Sequence, residues 1–395
     1  MKNSFFLKAF HIISLYVLFT MALPIAAQDI PEASPDILVR EGYTISIAEA
    51  TISKPRFLEF DDKGTLYVSL PKAGEIKACF DENGDGYYEK VETFVSGHPT
   101  AHGMDWHDGW LWFSETGTIL RARDTDGDGV ADEKVTVIPK GELPSGGGHW
   151  WRPVLIHNGR IYTEIGNSGN ISDESDTERM KVWSFNLEGG DKKLFASGLR
   201  NTEKLITRPG TDEIWGMDHG SDWFGREIEG KRNPLGQPIT DWNPPCEMNK
   251  LVEGGYYGHP FIVGKKLPRY EYMDREDIVA LAKKTIIPEW ETGAHWAPNA
   301  MCFYDGDQFP DEVKGDAFVA YHGSWNRSEK AGYCVTRVLF DDGHPYGELK
   351  YANFLRENDR MLARPVDVVV APDGSLLISD DWGDKIFRLS YTGEK

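Results

Sequence analysis

The chain has 395 residues and a formal net charge of −20, with 63 acidic side chains against 43 basic ones. A surface this acidic repels nucleic-acid phosphates and anionic membranes, which excludes the charge-driven polyanion binders. Its four cysteines, Cys79, Cys246, Cys302 and Cys334, lack CxxC or CxxCH spacing, which argues against thiolate-metal and c-type haem sites.

Residues 1–27 carry Lys2 and Lys8, an apolar run from Phe5 to Leu23, and the small pair Ala26-Ala27. That order predicts a secretory signal peptide cut near Gln28, hence a periplasmic or secreted protein. Lys8 and His11 interrupt the run and Pro24 ends it, so an uncleaved anchor is the lesser reading. Losing Lys2 and Lys8 takes the charge from −20 to −22. No later stretch is long and apolar enough to span a bilayer, so no integral membrane segment is expected after cleavage. One or two disulfides are allowed in such a compartment, but the sequence does not pair them.

From residue 28 onward one unit recurs: an apolar strand, a tight turn, a second strand and a polar exit. Six copies follow in order: Phe57–Ser69, Gly103–Ser114, Pro153–Gly166, Leu205–Asp218, Met301–His322 and Val366–Asp380. Turns such as Asp108-Gly109, Asn158-Gly159 and Asp373-Gly374 are strong hairpin signals between apolar runs. Six hairpins predict an all-β fold, a six-bladed β-propeller over 28–395. The second strands are spaced by 45, 50 and 53 residues from Leu66 through Leu111 and Ile161 to Ile214, but Phe318 follows by 104. The interval of about 221–299 is therefore a long insertion, expected over the channel mouth. A separate small domain is its alternative reading.

Two acidic loops, 43 residues apart, sit inside the repeat. The first runs Asp81-Glu82-Asn83-Gly84-Asp85-Gly86 and reaches Glu92, matching D-x-N-x-D-G-x5-E. The second runs Asp124-Thr125-Asp126-Gly127-Asp128-Gly129, with Val135 at the twelfth position, so Asp132 or Glu133 must complete the shell. Hard oxygen ligands at this spacing suit calcium, and the flanking strands make these rigidifying loops rather than helix-based switches.

If the first strand of each hairpin is innermost, its start and the end of the second strand share one rim. That places His102, His149-Trp150-Trp151-Arg152, Arg200-Asn201, His295-Trp296 and Arg364 beside Glu115, Asn167, Asp218-His219, His322–Trp325 and Asp380-Asp381-Trp382. Imidazole, guanidinium and indole groups at one end of six blades predict a polar bowl with aromatic walls.

Several strings in this order, Gly146-Gly147-Gly148-His149-Trp150, Gly198-Leu199-Arg200-Asn201, Asp218-His219-Gly220, Gly254–Pro260, Tyr321–Arg327, Arg364-Pro365 and Ala371–Gly374, resemble the soluble quinoprotein glucose/sorbosone dehydrogenase family. The resemblance covers nearly all of the mature chain. It implies a six-bladed propeller that binds pyrroloquinoline quinone and calcium and oxidises a sugar hydroxyl. By that resemblance His149 is the catalytic base, and His102, Arg200, Asn201, Arg327 and Arg364 contact the cofactor. Gly220 and Ser221 would offer backbone carbonyls to its calcium, and Trp150, Trp151 and Trp325 aromatic faces to its ring. Three carboxylates on the quinone suit guanidinium forks. A small sugar substrate and a separate electron acceptor, a soluble cytochrome or quinone, are implied. The chain departs from the family pattern at Thr202, where proline is usual, in Cys246-Glu247-Met248-Asn249, where an acidic pair usually precedes the asparagine, and at His102, where the glucose enzymes often carry glutamine. Two alternatives remain: a cofactor-free propeller lyase or hydrolase, and a non-catalytic carbohydrate-binding propeller.

Overall fold

Each of the six hairpins opens an antiparallel sheet, and the six sheets stand in a ring as a β-propeller. The computed structural model describes Met1, residues 31–225 and residues 239–393; the signal-peptide reading and part of the insertion lie outside the described residues. The innermost strands are Leu58–Phe60, Met104–His107, Leu155–His157, Thr202–Thr207, Pro298–Phe303 and Pro365–Val370. Each packs against its neighbours around a central channel. Two of the turns adopt the expected left-handed pair, with φ of 49° and 74° at Asp108-Gly109 and 48° and 70° at Asn158-Gly159. Such turns match the right-handed twist of the strands they join.

Second strands such as Leu66–Leu70, Ala317–Tyr321 and Leu376–Asp380 are buried along their whole length. They lie between blades and bury both faces, which is why they read as continuous apolar runs rather than alternating ones. The core is correspondingly a series of inter-blade clusters. Phe57, Ile76 and Phe94 of the first blade meet Met104, Leu111 and Phe113 of the second. Trp215 and Met248 of the fourth meet Met301 and Val319 of the fifth.

The ring is closed by the two ends of the chain. Tyr43–Glu49 pairs antiparallel with Lys385–Tyr391 and forms the outer strand of the sixth blade. Leu38–Val39 adds a further strand outside His344–Asn353 of the fifth. The insertion supplies the outer strands of the fourth blade, Cys246–Leu251 and Trp290–Thr292, and a short strand, Gly255–Tyr256, parallel to Lys193–Ser197 of the third. It also carries the helix Ile278–Lys284, and it belongs to the same compact unit as the blades. All four cysteines are free thiols.

Three innermost strands bulge at their starts, between Thr202 and Leu205, Pro298 and Ala300, and Pro365 and Val368. Bulges break the alternation of side chains and re-aim neighbours. In the fourth blade the bulge lets both Glu203 and Lys204 find partners across the channel, the first with Arg56 and the second with Asp367.

Candidate active site

The rim residues do converge. Arg56, which precedes the first innermost strand, places one nitrogen 2.8 Å from Glu203 and another 2.9 Å from Asp381. Asp381 lies 2.9 Å from His322 Nε2, and His322 Nδ1 accepts from Arg364 at 2.9 Å. On the other side Asn201 Nδ2 reaches Glu203 at 3.2 Å and His219 Nδ1 at 3.3 Å, while His219 Nε2 donates to the Pro298 carbonyl at 3.0 Å. One hydrogen-bonded chain thus runs through blades six, five, one and four. His102 of the second blade completes the circle, its ring 4.4 Å from that of Trp151. Arg56 stacks over Trp151 at 4.2 Å, and Trp150 stacks on Trp151 at 3.8 Å.

His149 is oriented by backbone. Its Nδ1 lies 2.7 Å from the Asn167 carbonyl, which can only accept, so Nδ1 carries the proton and Nε2 keeps its lone pair. The Asn167 side chain is fixed in turn by His259 Nε2 at 3.0 Å and the Ser172 carbonyl at 2.8 Å. Burial, and then the Arg200 charge, push the His149 pKa down to about 3. Burial does the same to His219, to about 3, and to His322, to about 4 in spite of Asp381. Burial opposes the charge on Asp381, but the hydrogen bond from His322 and the charge of Arg56 outweigh it and hold the carboxyl below its usual range.

Arg200 is buried, with Nε on the Asn170 carbonyl at 2.9 Å and Nη2 on Asn170 Oδ1 and Asp222 at 2.9 and 3.2 Å. Asp218 receives the backbone N–H groups of Arg200 and Asn201 at 2.9 and 2.7 Å and so sets both side chains. His102 is 1% exposed, and neither ring nitrogen makes a hydrogen bond; Glu203 is 3.8 Å away. Asn201 Oδ1 and Arg56 Nε are buried and unpartnered as well. Orphaned polar atoms bordering a bowl of cations are what a polar, anionic ligand would satisfy.

Not every rim residue faces inward. Arg152 braces its own loop through the carbonyls of Pro144, His149 and Trp151. Glu115 pairs with His98 at 2.6 Å, and His295 turns to the carbonyls of Thr240 and Asn243. Arg327 commits Nε to the Glu329 carbonyl and Nη1 to those of Asp241 and Ala294, and lies over Trp242. It therefore ties the insertion to the fifth blade at the rim. Ser221 is buried, its hydroxyl on the Trp223 carbonyl at 3.1 Å, and the carbonyls of Pro244 and Pro245 crowd Gly220. Trp325 stands on the rim, edge-on to Trp223 at 5.7 Å. Asp381 is among the expected rim residues, whereas Arg56 and Glu203 join the bowl without having been expected there.

The close fit of blades two and three depends on Gly103. A Cβ there would lie 2.2 Å from the Arg152 carbonyl and 2.8 Å from Pro153 Cα, both backbone atoms that cannot move aside. Gly103→Ala is expected to destabilise by about 1–3 kcal/mol, read as a fall in melting temperature, and to disturb His102 beside it.

The acidic loops lie at the other face, where third strands turn into fourth ones. In the first, Asp81 caps the N–H groups of Gly84, Asp85 and Gly86, and Glu89 accepts from Glu82 N–H. In the second, Asp124 caps Asp126, Gly127 and Gly129, and Asp132 accepts from Thr125 N–H. Glu89 and Asp132 thus hold equivalent positions, whereas Glu92 sits in the strand Lys90–Ser96 against Gly129 of the other loop. Asp124, Asp126 and Asp128 bring carboxylate oxygens within 4.8 Å of one another. Each loop also fastens its blade to the preceding one, through Tyr88 N–H to Ala48 and Ala131 N–H to Phe94.

The TrAA12-like family model matches residues 37–392, and the chain belongs to that family. Among solved structures, the calcium form of the family AA12 carbohydrate-active enzyme from Trichoderma reesei superposes with a TM-score of 0.77 at 18% identity, over 92% of this chain and 99% of that one. The PQQ domain of pyranose dehydrogenase from Coprinopsis cinerea gives 0.76 at 18% identity, over 91% and 98%. The soluble aldose sugar dehydrogenase of Escherichia coli gives 0.63 at 18%, over 88% and 99%. The resemblance to soluble quinoprotein sugar dehydrogenases thus extends to the whole propeller.

Proposed function

We propose that the protein is a quinoprotein sugar dehydrogenase that oxidises the hydroxyl-bearing carbon of a sugar hemiacetal in the bowl. The observation that carries this reading is His149: a half-buried imidazole, its Nδ1 proton fixed by a carbonyl, with a neutral Nε2 available as base beside Arg200. His149 Nε2 takes the hydroxyl proton, a contribution worth about 10²–10⁴-fold. Pyrroloquinoline quinone, when bound, would supply the two-electron acceptor for the hydride, and calcium would add Lewis-acid assistance. Arg200, Arg364, Asn201 and His102 would hold its carboxylate and carbonyl oxygens, with Trp151 beside its ring; the unpartnered atoms of His102 and Asn201 fit that group. Gly220 and Ser221 would lend carbonyls to its calcium, and Arg327 would act by holding the rim. Electrons would then pass to a separate acceptor such as a soluble cytochrome or quinone. Secretion or a periplasmic location fits this chemistry.

The test is to add the quinone and calcium to the purified protein and follow dye reduction with aldoses, uronic acids and alditols. Dye reduction together with a thermal shift on quinone addition is expected; the absence of both would remove the proposal.

We further propose that calcium occupies both acidic loops, held by Asp81, Asn83 and Asp85 in one and by Asp124, Asp126, Asp128 and Asp132 in the other. Glu89, rather than Glu92, is placed to close the first. A chelator is expected to lower the melting temperature by several degrees, since metal bound only to the folded state stabilises by about 2.7 kcal/mol at a hundredfold excess over Kd. A melting temperature indifferent to chelation would sink this assignment.

A further inference from the structure

Three tryptophans among the described residues are exposed, Trp242 at 70%, Trp325 at 71% and Trp382 at 54%, and each adjoins a rim residue: Trp242 lies under Arg327, Trp325 is edge-on to Trp223, and Trp382 follows the Asp381 that meets His322. Trp382 directly follows Asp381, and its N–H is pinned by Asp380 at 3.1 Å. Trp325 lies between Ser324, whose carbonyl accepts the Tyr333 hydroxyl at 2.7 Å, and Asn326, which clamps to the Asp222 carbonyl. Trp242 ends the short helix Ile239–Trp242, whose Asp241 receives the Ser328 N–H at 3.0 Å. Exposed indoles on anchored backbones leave large apolar faces in water without the flexibility that would let them fold away. The remaining tryptophans are buried or half-buried, so this exposure is confined to one rim.

Indole faces with a polar edge bind the apolar C–H face of a pyranose, while neighbouring polar groups take its hydroxyls. Here the indoles are interleaved with Arg327, Asp222 and Asn326 rather than merged into one apolar patch. A stable protein interface would need a contiguous, well-packed core of roughly 800 Å² per partner. The net charge of −20 disfavours an anionic glycan. We propose that the rim is a binding track for a neutral oligosaccharide: the terminal unit enters the bowl, and the units behind it stack on Trp325, Trp382 and Trp242. The inference rests on the sugar reading above and adds to it a polymeric substrate class, met at its end.

The experiment is calorimetric titration of the full-length protein, without quinone, with cello-, xylo-, manno-, malto- and chito-oligosaccharides from monomer to pentamer. In at least one series the trimer should bind about tenfold more tightly than the monomer, with a shift in tryptophan emission. Trp325→Ala and Trp382→Ala together should abolish that length dependence while the melting temperature holds. Affinity independent of length in every series, or unchanged in the double variant, would overturn the proposal. So would a double variant that slows reduction of a protein acceptor yet binds oligosaccharides normally, because the rim would then be a carrier dock. Length-dependent binding without quinone turnover would leave this track standing and remove the redox reading alone.

Discussion

His149→Ala is expected to lower kcat by about 10²–10⁴-fold, with a smaller change in KM and a melting temperature close to that of the parent. The imidazole is held through one backbone carbonyl, so its loss removes a base without uncovering a buried charge. The pH profile gives a second readout. With the Nε2 pKa near 3, the base is neutral through the ordinary range, and its activity falls only as pH drops through about 3. An ordinary solvent-exposed histidine would lose activity near 6.5. A limb at 6.5 that disappears in the alanine variant would show that the bowl does not hold this residue as described. The Asn167→Ala variant separates base from support, because the carbonyl remains while the contact to His259 is lost.

Lys204→Met should be the most damaging single change for stability, by about 3–5 kcal/mol at neutral pH. The ammonium lies 2.9 and 2.7 Å from the two oxygens of Asp367, and both residues are buried in the channel. Burial works against the Lys204 charge, but Asp367, Glu59 and the hydrogen bonds outweigh it and raise its pKa. Burial already holds the Asp367 carboxyl above its unfolded value; without the lysine only the N–H groups of Leu58 and Val368 oppose it, so the carboxyl rises further. A raised carboxyl gives stability below the unfolded pKa that is lost as pH rises toward the folded one. The deficit of the variant should therefore shrink as pH is lowered from 7 toward 4. The paired variant Lys204→Met with Asp367→Leu should recover most of the loss, measured by denaturant titration. A single variant no less stable than the parent would mean that water, not protein, solvates Asp367.

The hairpins were legible because Asp108-Gly109 and Asn158-Gly159 specify their turns locally, whatever the rest of the chain does. The bowl was legible for the same reason one level up: antiparallel pairing alone puts His102, Arg200 and Arg364 on one rim with His219 and His322. By that rule Arg56 could have been found, since it precedes the first innermost strand as Arg364 precedes the last. Glu203, Lys204 and Asp367 could not, because bulges in their strands break the alternation from which facing residues are inferred. Arg327 shows the opposite limit. A guanidinium in a family string looks like a carboxylate clamp, but its partners are carbonyls contributed by Asp241 and Ala294, far off in sequence. Likewise Glu92 satisfies a linear spacing, yet the strand that carries it turns it toward Gly129.

The pairing of Tyr43–Glu49 with Lys385–Tyr391 makes the last strand of the propeller the partner of one of its first. Five blades take their inner four strands from neighbours in sequence, but the sixth needs strands from both ends of the propeller, so the circle locks only once its last strand has been made. The same adjacency lets the molecule be cut elsewhere: with the two strands of the sixth blade joined by a short linker, a chain reopened at the turn Asp342-Gly343 would begin and end inside the fifth blade, and the longest-range zipper would move to the pairing of Cys334–Asp341 with His344–Asn353.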